Sequence, residues 1–337
     1  MSRARSFSKL INKDNYATYS GSDSVTDIST VSLPQGTLGF RNKIINGNFD
    51  IWQRGDGPFT TGYSADRWVD QGSGATLSMS KGTFTNGQTD VPGNPKYYMQ
   101  WSITTGNDNS RITQRIEGVQ TFSGETVTLS YWARHVSGTL PSGGITANLR
   151  QEFGTGGTPS STVYVNSDNI SLTSNWQKFT TTFNVPSISG KTIGTDGNDY
   201  LGVSLLWQLG NDTTAYSIDI AQVQLEEGTV PTPFEHRPYG TELALCQRYF
   251  YIFDSTGLDD LLYFRSPYAT GTPPNTTASV AHFHPVTMRA SPDIIATVNG
   301  GTINRKTSSN KVVVFQMAST NINGAYAVTS YTANAEL

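Results

Sequence analysis

From Phe40 to about Leu225 the chain is written in short segments of alternating polarity, each closed by a cluster of Gly, Asn or Pro. Examples are KYYMQWSI, RITQRIE, ETVTLSYWARHV, ITANLRQEF, WQKFTTTFNV, YLGVSLLWQL and AYSIDIAQVQL. A period of two sends successive side chains to opposite faces of a strand, whereas an amphipathic helix needs a period near 3.6. Short strands with turn signals between them predict antiparallel sheets packed as a sandwich or barrel, not βαβ units. No repeat of 20–50 residues is visible, which argues against solenoids and propellers.

The 337 residues suffice for about two domains and for a core that needs no disulfide or metal. Residues 1–40, with GSDSVTDISTVS, lack hydrophobic periodicity and read as an extended N-terminal arm, ordered where a partner holds it. Residues 41–232 hold the main β region. Residues 233–255 read as a Pro-punctuated linker and a short helix, TELALCQRYFYIF, running into a strand. Thr241 is the expected helix cap, with Leu245 and Tyr249 stacking four residues apart. Residues 256–337 return to short strands with turns at TGTPPN, VNGG, SSN and NING, a smaller C-terminal β domain.

Lys and Arg number 23 against 26 Asp and Glu, a net charge of −3. A protein held by nucleic-acid phosphates needs a basic surplus, so no nucleic-acid partner is expected. Charged residues are 15% of the chain, below the usual quarter, and polarity comes from Thr, Ser, Asn, Gln and 33 Gly. Such an uncharged polar surface suits β-rich extracellular proteins. A single cysteine, Cys246, excludes an intrachain disulfide framework and a Cys-rich zinc site, and reads as a small core residue. The longest apolar runs, such as Val312 to Phe315, are strand-sized, so no membrane insertion is expected. The basic N-terminal stretch lacks the apolar run of a secretory signal.

Strand parity sorts the side chains. Val127, Leu129, Tyr131 and Ala133 share an inward face, leaving Trp132 and Arg134 outward. Ala147, Leu149 and Phe153 read inward and Asn148, Arg150 and Glu152 outward. Leu201, Val203, Leu205 and Trp207 read inward and Ser204 and Gln208 outward. If the three strands are neighbours, Trp132, Arg134, Asn148, Arg150 and Gln208 form one outer surface. An indole beside planar donors and acceptors suits a sugar, whose axial C–H face packs on the ring while its hydroxyls pair with Arg, Asn and Gln.

No GxSxG elbow, HExxH, P-loop or dinucleotide fingerprint is present. Glu226 and Glu227 are adjacent in a strand, so their carboxylates diverge and do not make a glycosidase pair. No enzyme is expected. Two metal sites are considered. His282 and His284 form a His-x-His pair on one strand face, and a three-fold axis would gather six imidazoles around a transition metal. Asp219 near Asn48 would supply oxygen ligands for a structural calcium ion.

Ordered motifs across residues 40 to 252 carry a resemblance. KIINGNFDIWQRG, YSADRW, RITQRIEGVQTFSGETVTLSYWAR, NWQKFTTTFNVPSISGKTIGTDGNDYLGVSL and IDIAQVQLEEGTVPTPFEHRPYGTELALCQRYF look like a module of tailed-bacteriophage fibre and virion proteins. The middle module, with NGNF at its start and IDIAQVQL as its closing strand, is similar to carbohydrate-binding modules of the jelly-roll type, with their NGxF start and IDxVxL closing strand. The resemblance implies a mainly β chain, with a jelly-roll β-sandwich over 41–232 followed by the smaller β domain. It implies a virion structural protein: a tail fibre or fibre-like adhesin that binds host surface glycans without cleaving them. The arm would attach it to other virion proteins, and a homotrimer is expected by analogy. The alternatives are a head decoration or fibre protein with a purely structural role, and a capsule depolymerase. Under the resemblance Trp52, Arg67 and Trp68 are turn and core residues.

Overall fold

Strand parity in the sequence becomes two sheets with one core between them. The computed structural model describes residues 40–71, 76–105, 110–142, 144–208, 213–255, 262–265, 277–299, 302–318 and 325–337, without the side chains of 206–208, 263–265, 277–278, 318 and 325–326. The arm expected over 1–40 therefore lies outside the described residues, apart from its last one.

Among the described residues, sheet one contains β1 (Trp68–Asp70), β4 (Ile112–Glu117), β9 (Tyr200–Gln208), β6 (Ile145–Glu152) and β7 (Val163–Asn166), in that spatial order. Sheet two contains β2 (Thr76–Thr83), β3 (Tyr97–Thr105), β10 (Tyr216–Glu227), β5 (Thr126–Gly138) and β8 (Gln177–Asn184). Every pairing within them is antiparallel. The chain crosses repeatedly from one sheet to the other, the connectivity of a jelly-roll sandwich. The inward faces carry Val127, Leu129, Tyr131, Ala133, Ala147, Leu149, Leu201, Val203 and Leu205, all buried. Burying a large apolar side chain contributes roughly 1.5–3 kcal/mol, so this face holds the sandwich together. Trp52 and Trp68 are buried in the same core, as the sequence predicts.

The NGNF stretch stitches the entry of the sandwich to its closing strand. Asn46, at φ 57°, donates from Nδ2 to Ile51 O and accepts at Oδ1 from Ile51 N. Gly47 accepts from Val223 N at 2.8 Å. Beyond β10, residues 228–235 fold back over part of sheet two. Thr128 Oγ1 donates to Gly228 O, Thr232 donates to both oxygens of Glu226, and Glu235 N donates to Gln224 Oε1. Thr128, Ser130, Gln224 and Glu226 are consequently buried on what is otherwise an outer face.

The helix α1 (Tyr239–Gln247) begins at Pro238, which supplies no side-chain cap. Thr241, the expected cap, lies inside the first turn, its N–H bonded to Pro238 O. Proline fixes the backbone entry here, so no hydroxyl cap is used. Cys246 is fully buried and burial pushes its thiol pKa up, consistent with an inert core residue.

Seven further strands follow among the described residues. β11 (Phe250–Asp254), β12 (Tyr263–Arg265), β14 (Asp293–Asn299) and β17 (Ala325–Asn334) make one sheet, with β17 central. β13 (Thr277–Phe283), β15 (Thr302–Ser308) and β16 (Val312–Ala318) make another. They enclose a second hydrophobic cluster around Phe253, Met288, Phe315, Val328 and Tyr331. Residues 42–337 form one compact unit.

Candidate functional site

The five residues singled out for sugar binding do not share a surface. Trp132 and Arg134 lie on the outer face of sheet two, whereas Asn148 and Arg150 lie on the outer face of sheet one. The inward/outward parity holds, but β5 is not a neighbour of β6 or β9. One combined surface is therefore corrected to two, on opposite sides of the core. Gln208 ends β9 opposite Ile145, and its side chain lies outside the described residues.

On sheet one, directly opposed residues build the surface. Arg150 faces Tyr164 on β7 and Gly202 on β9; Asn148 faces Asn166 and Ser204; Thr113 faces Ser204 from β4. Tyr164 is 50% exposed. Beneath it the polar groups are locked together. Arg150 Nη2 donates to Tyr200 OH and to Gln71 Oε1, and Asn148 Nδ2 donates to Asn166 Oδ1 at 2.6 Å. Thr113 and Ser204 hydroxyls are 2.9 Å apart. Arg150 and Arg115 stack on Tyr200, with Cζ 5.1 and 5.0 Å from the ring centre. Gly202 leaves the Tyr200 ring room: a Cβ there would come within 3.3 Å of it, so the ring would have to give by a few tenths of an ångström.

Among the described residues, buried polar atoms on this face without a hydrogen-bond partner include Arg150 Nε, Arg115 Nε and Thr146 Oγ1. Glu152 Oε2 approaches the first at 3.8 Å, too far for a hydrogen bond. Thr146 opens onto a cavity of about 370 Å³ shared with Asn166, Ser167, Asp168 and Asn169. Arg111 adds positive charge, its pKa lowered by burial and then by Arg150. The face thus offers one half-exposed ring, fixed guanidinium and amide groups, and unmet donors beside an opening. Tyr164 and Arg111 were not singled out from the sequence. Tyr164 alternates with Val163 and Val165, so parity marks it outward, but its four-residue strand is too short to stand out.

The residues of the two metal assignments lie in separate surroundings. His282 and His284 both turn against Tyr251 and Tyr331 beside the second cluster. His282 Nδ1 lies 2.5 Å from Tyr331 OH, His284 is 7% exposed, and Phe283 between them is 71% exposed. Asp219 is held by Arg134 at 2.8 Å and by Gln100, while Asn48 donates to Asp50, so the two share no site. A calcium ion at Asp219 would have to displace a guanidinium. Among the described residues, no group of three or more His, Cys, Asp or Glu is arranged to hold a metal ion. Glu226 is buried and bonded to Thr232 and Gln224, and Glu227 is exposed, so the adjacent carboxylates diverge as expected.

No protein-family model and no curated protein matches the sequence. Solved structures overlap parts of it. The enzymatically active domain of bacteriophage CBA120 tailspike protein 4 overlaps 56% of this chain at 15% identity and TM-score 0.31, which is 22% of the tailspike chain. The CBM22-1 xylan-binding domain of a Paenibacillus barcinonensis xylanase overlaps 52% of this chain and 93% of its own, at 15% identity and TM-score 0.30. The N-terminal cellulose-binding domain of Cellulomonas fimi β-1,4-glucanase C overlaps 52% of this chain and 97% of its own, at 18% identity and TM-score 0.30. Overlaps of this size carry no functional weight.

Proposed function

We propose that the chain is a non-catalytic glycan-binding protein of a tailed-bacteriophage particle, acting as a tail fibre or fibre-like adhesin. The observation that carries the binding reading is Tyr164, half-exposed and set directly across from Arg150. A pyranose laid on that ring presents its equatorial hydroxyls to Arg150, Asn148 and Thr146. Arg150 and Asn148 are already held by Gln71 and Asn166, so little side-chain freedom is lost on binding. The chemistry is reversible adsorption, with no bond made or broken. The phage context is supported by the ordered sequence motifs over residues 40 to 252. In that context residues 1–40 attach the protein to other virion proteins, the location is the virion, and a homotrimer would add weak contacts into useful avidity.

The test is adsorption blocking. Purified full-length protein is incubated with host cells before phage is added, and free phage is counted. The protein is expected to block adsorption, and Tyr164→Ala to require about tenfold more protein for the same block. Unchanged adsorption with folded wild-type protein would transfer the assignment to a structural role in the particle.

A further inference from the structure

Residues 228–235 close one end of sheet two's outer face and leave the other end bare. At the bare end stand Trp132 and Arg134 on β5, Tyr98 and Gln100 on β3, and Phe84 and Trp176 just outside β2 and β8, all half-buried. Apolar rings at the uncovered end of a polar sheet are not needed by the core, which lies on the other side.

These rings are held in place. Phe84, Tyr98 and Trp176 contact one another at centroid separations of 4.9, 5.2 and 5.6 Å, with two of the three pairs edge-on. Tyr98 lies across Gly82, its directly opposed residue on β2, where a Cβ would fall 2.1 Å from the ring. Arg134 sits with Cζ 5.0 Å from the Trp176 ring. Its Nε and Nη2 both bind Asp219 Oδ2, at 2.9 and 2.8 Å, and Asp219 is fully buried. Breaking water away from that carboxylate is costly, and a buried ion pair seldom outdoes an apolar one for stability. What the pair does achieve is a fixed guanidinium beside a fixed indole. Next to Phe84, a cavity of about 480 Å³ is lined by Thr85, Asn86, Gln88, Asn94 and Lys96. That volume lies in the range of small-ligand sites.

We propose that this end of sheet two is a second sugar-binding site, so that the sandwich carries one site on each side. The occupant is a pyranose-containing glycan. Its C–H face packs on the ring cluster, Arg134 and Gln100 donate to its hydroxyls, and the amide-lined cavity takes a neighbouring sugar unit. Two sites on opposite faces engage two glycan chains, or two stretches of one, and link a polysaccharide. This rests on the glycan-binding reading of sheet one, and the two are separable.

The experiment uses the full chain and three probes: xylan, mixed-linkage β-glucan and bacterial lipopolysaccharide O-chains. Retention in gels containing each polysaccharide identifies the probe that binds, and calorimetry with an oligosaccharide of that probe counts sites. Two sites per chain are expected for the wild type and one each for Tyr164→Ala and Trp176→Ala. The double variant should lose retention. The wild type should precipitate the polysaccharide and neither single variant should. One site per chain, lost with Tyr164→Ala and untouched by Trp176→Ala, would overturn the second site and keep the first. No retention on any probe would overturn both. Should Trp176→Ala misfold by near-ultraviolet circular dichroism, the indole NMR signals of Trp132 and Trp176 in the Tyr164→Ala protein decide. They should shift on adding the oligosaccharide; unmoved signals overturn the site.

Discussion

Gly47 shows what a single missing side chain permits. Its backbone runs against Val223, and an added Cβ would sit 2.1 Å from Val223 O and 3.3 Å from Ile44 Cγ2. The nearest atom is backbone, so no rotamer change relieves the clash. Gly47→Ala must push the entry segment off β10 and weaken the bond from Val223 N. The expected cost is about 1–3 kcal/mol, the range for overpacking a tight site. Urea unfolding checks it: the midpoint should fall while the slope stays unchanged. The sequence marks NGNF as part of a motif without giving this reason, because Val223 is remote in the chain. The same split runs through the binding residues. Parity correctly turned Trp132, Arg134, Asn148 and Arg150 away from the inward faces, since alternation is local. It could not say that β5 and β6 belong to different sheets, since that depends on crossovers. Trp176 was hidden for a related reason: it precedes β8 and joins Tyr98 and Phe84 only through folding.

At the scale of elements, β13 inverts the usual polarity. Phe283 is 71% exposed, while His282 and His284 turn inward against Tyr251 on β11 and Tyr331 on β17. Hydrophobicity alone would have placed Phe283 inside. Burial lowers the pKa of both imidazoles below the ordinary 6.5, and His282 adds repulsion at His284. The two tyrosines stay neutral, with burial raising the pKa of each. Between the lowered folded values and 6.5, the unfolded chain binds more protons than the folded one. These histidines therefore cost nothing above 6.5 and destabilise progressively as pH falls below it. The thermal midpoint should drop between neutral and mildly acidic pH. A His282→Phe, His284→Phe double variant should show a shallower drop, measured by circular dichroism melts across that range. An unchanged slope would mean that other groups set the acid sensitivity.

At the largest scale, the two hydrophobic clusters among the described residues are tied by a small set of charged and polar contacts, with the Glu336 pairs buried. Glu336 binds Arg67 and, at 3.3 Å, Arg54. These arginines lie over the rings of Tyr249 and Phe250, at 3.4 and 3.5 Å from Cζ to the ring centre. Gln53 donates to Phe250 O, Tyr63 OH donates to Leu337 O, and Arg248 pairs with Glu117 at 2.9 Å. Every one of these contacts joins the sandwich region to the segment around α1 or to residues beyond it. Glu336 is the key member because its carboxylate meets two cations, and Arg67 is 1% exposed. Removing it leaves Arg67 buried without a carboxylate at bonding distance, while Arg54 keeps Asp66 at 3.8 Å. Breaking one partner of a buried pair costs about 3–5 kcal/mol. That loss falls on the junction, not on either core. Calorimetry should therefore show a single transition for the wild type and two for Glu336→Ala, the earlier one belonging to the C-terminal strands. Glu336→Gln keeps the shape but not the charge, and should lie between them. A single, unshifted transition in Glu336→Ala would mean that the two clusters are coupled by their apolar contacts and the chain connection, and that the ion pairs merely orient the junction.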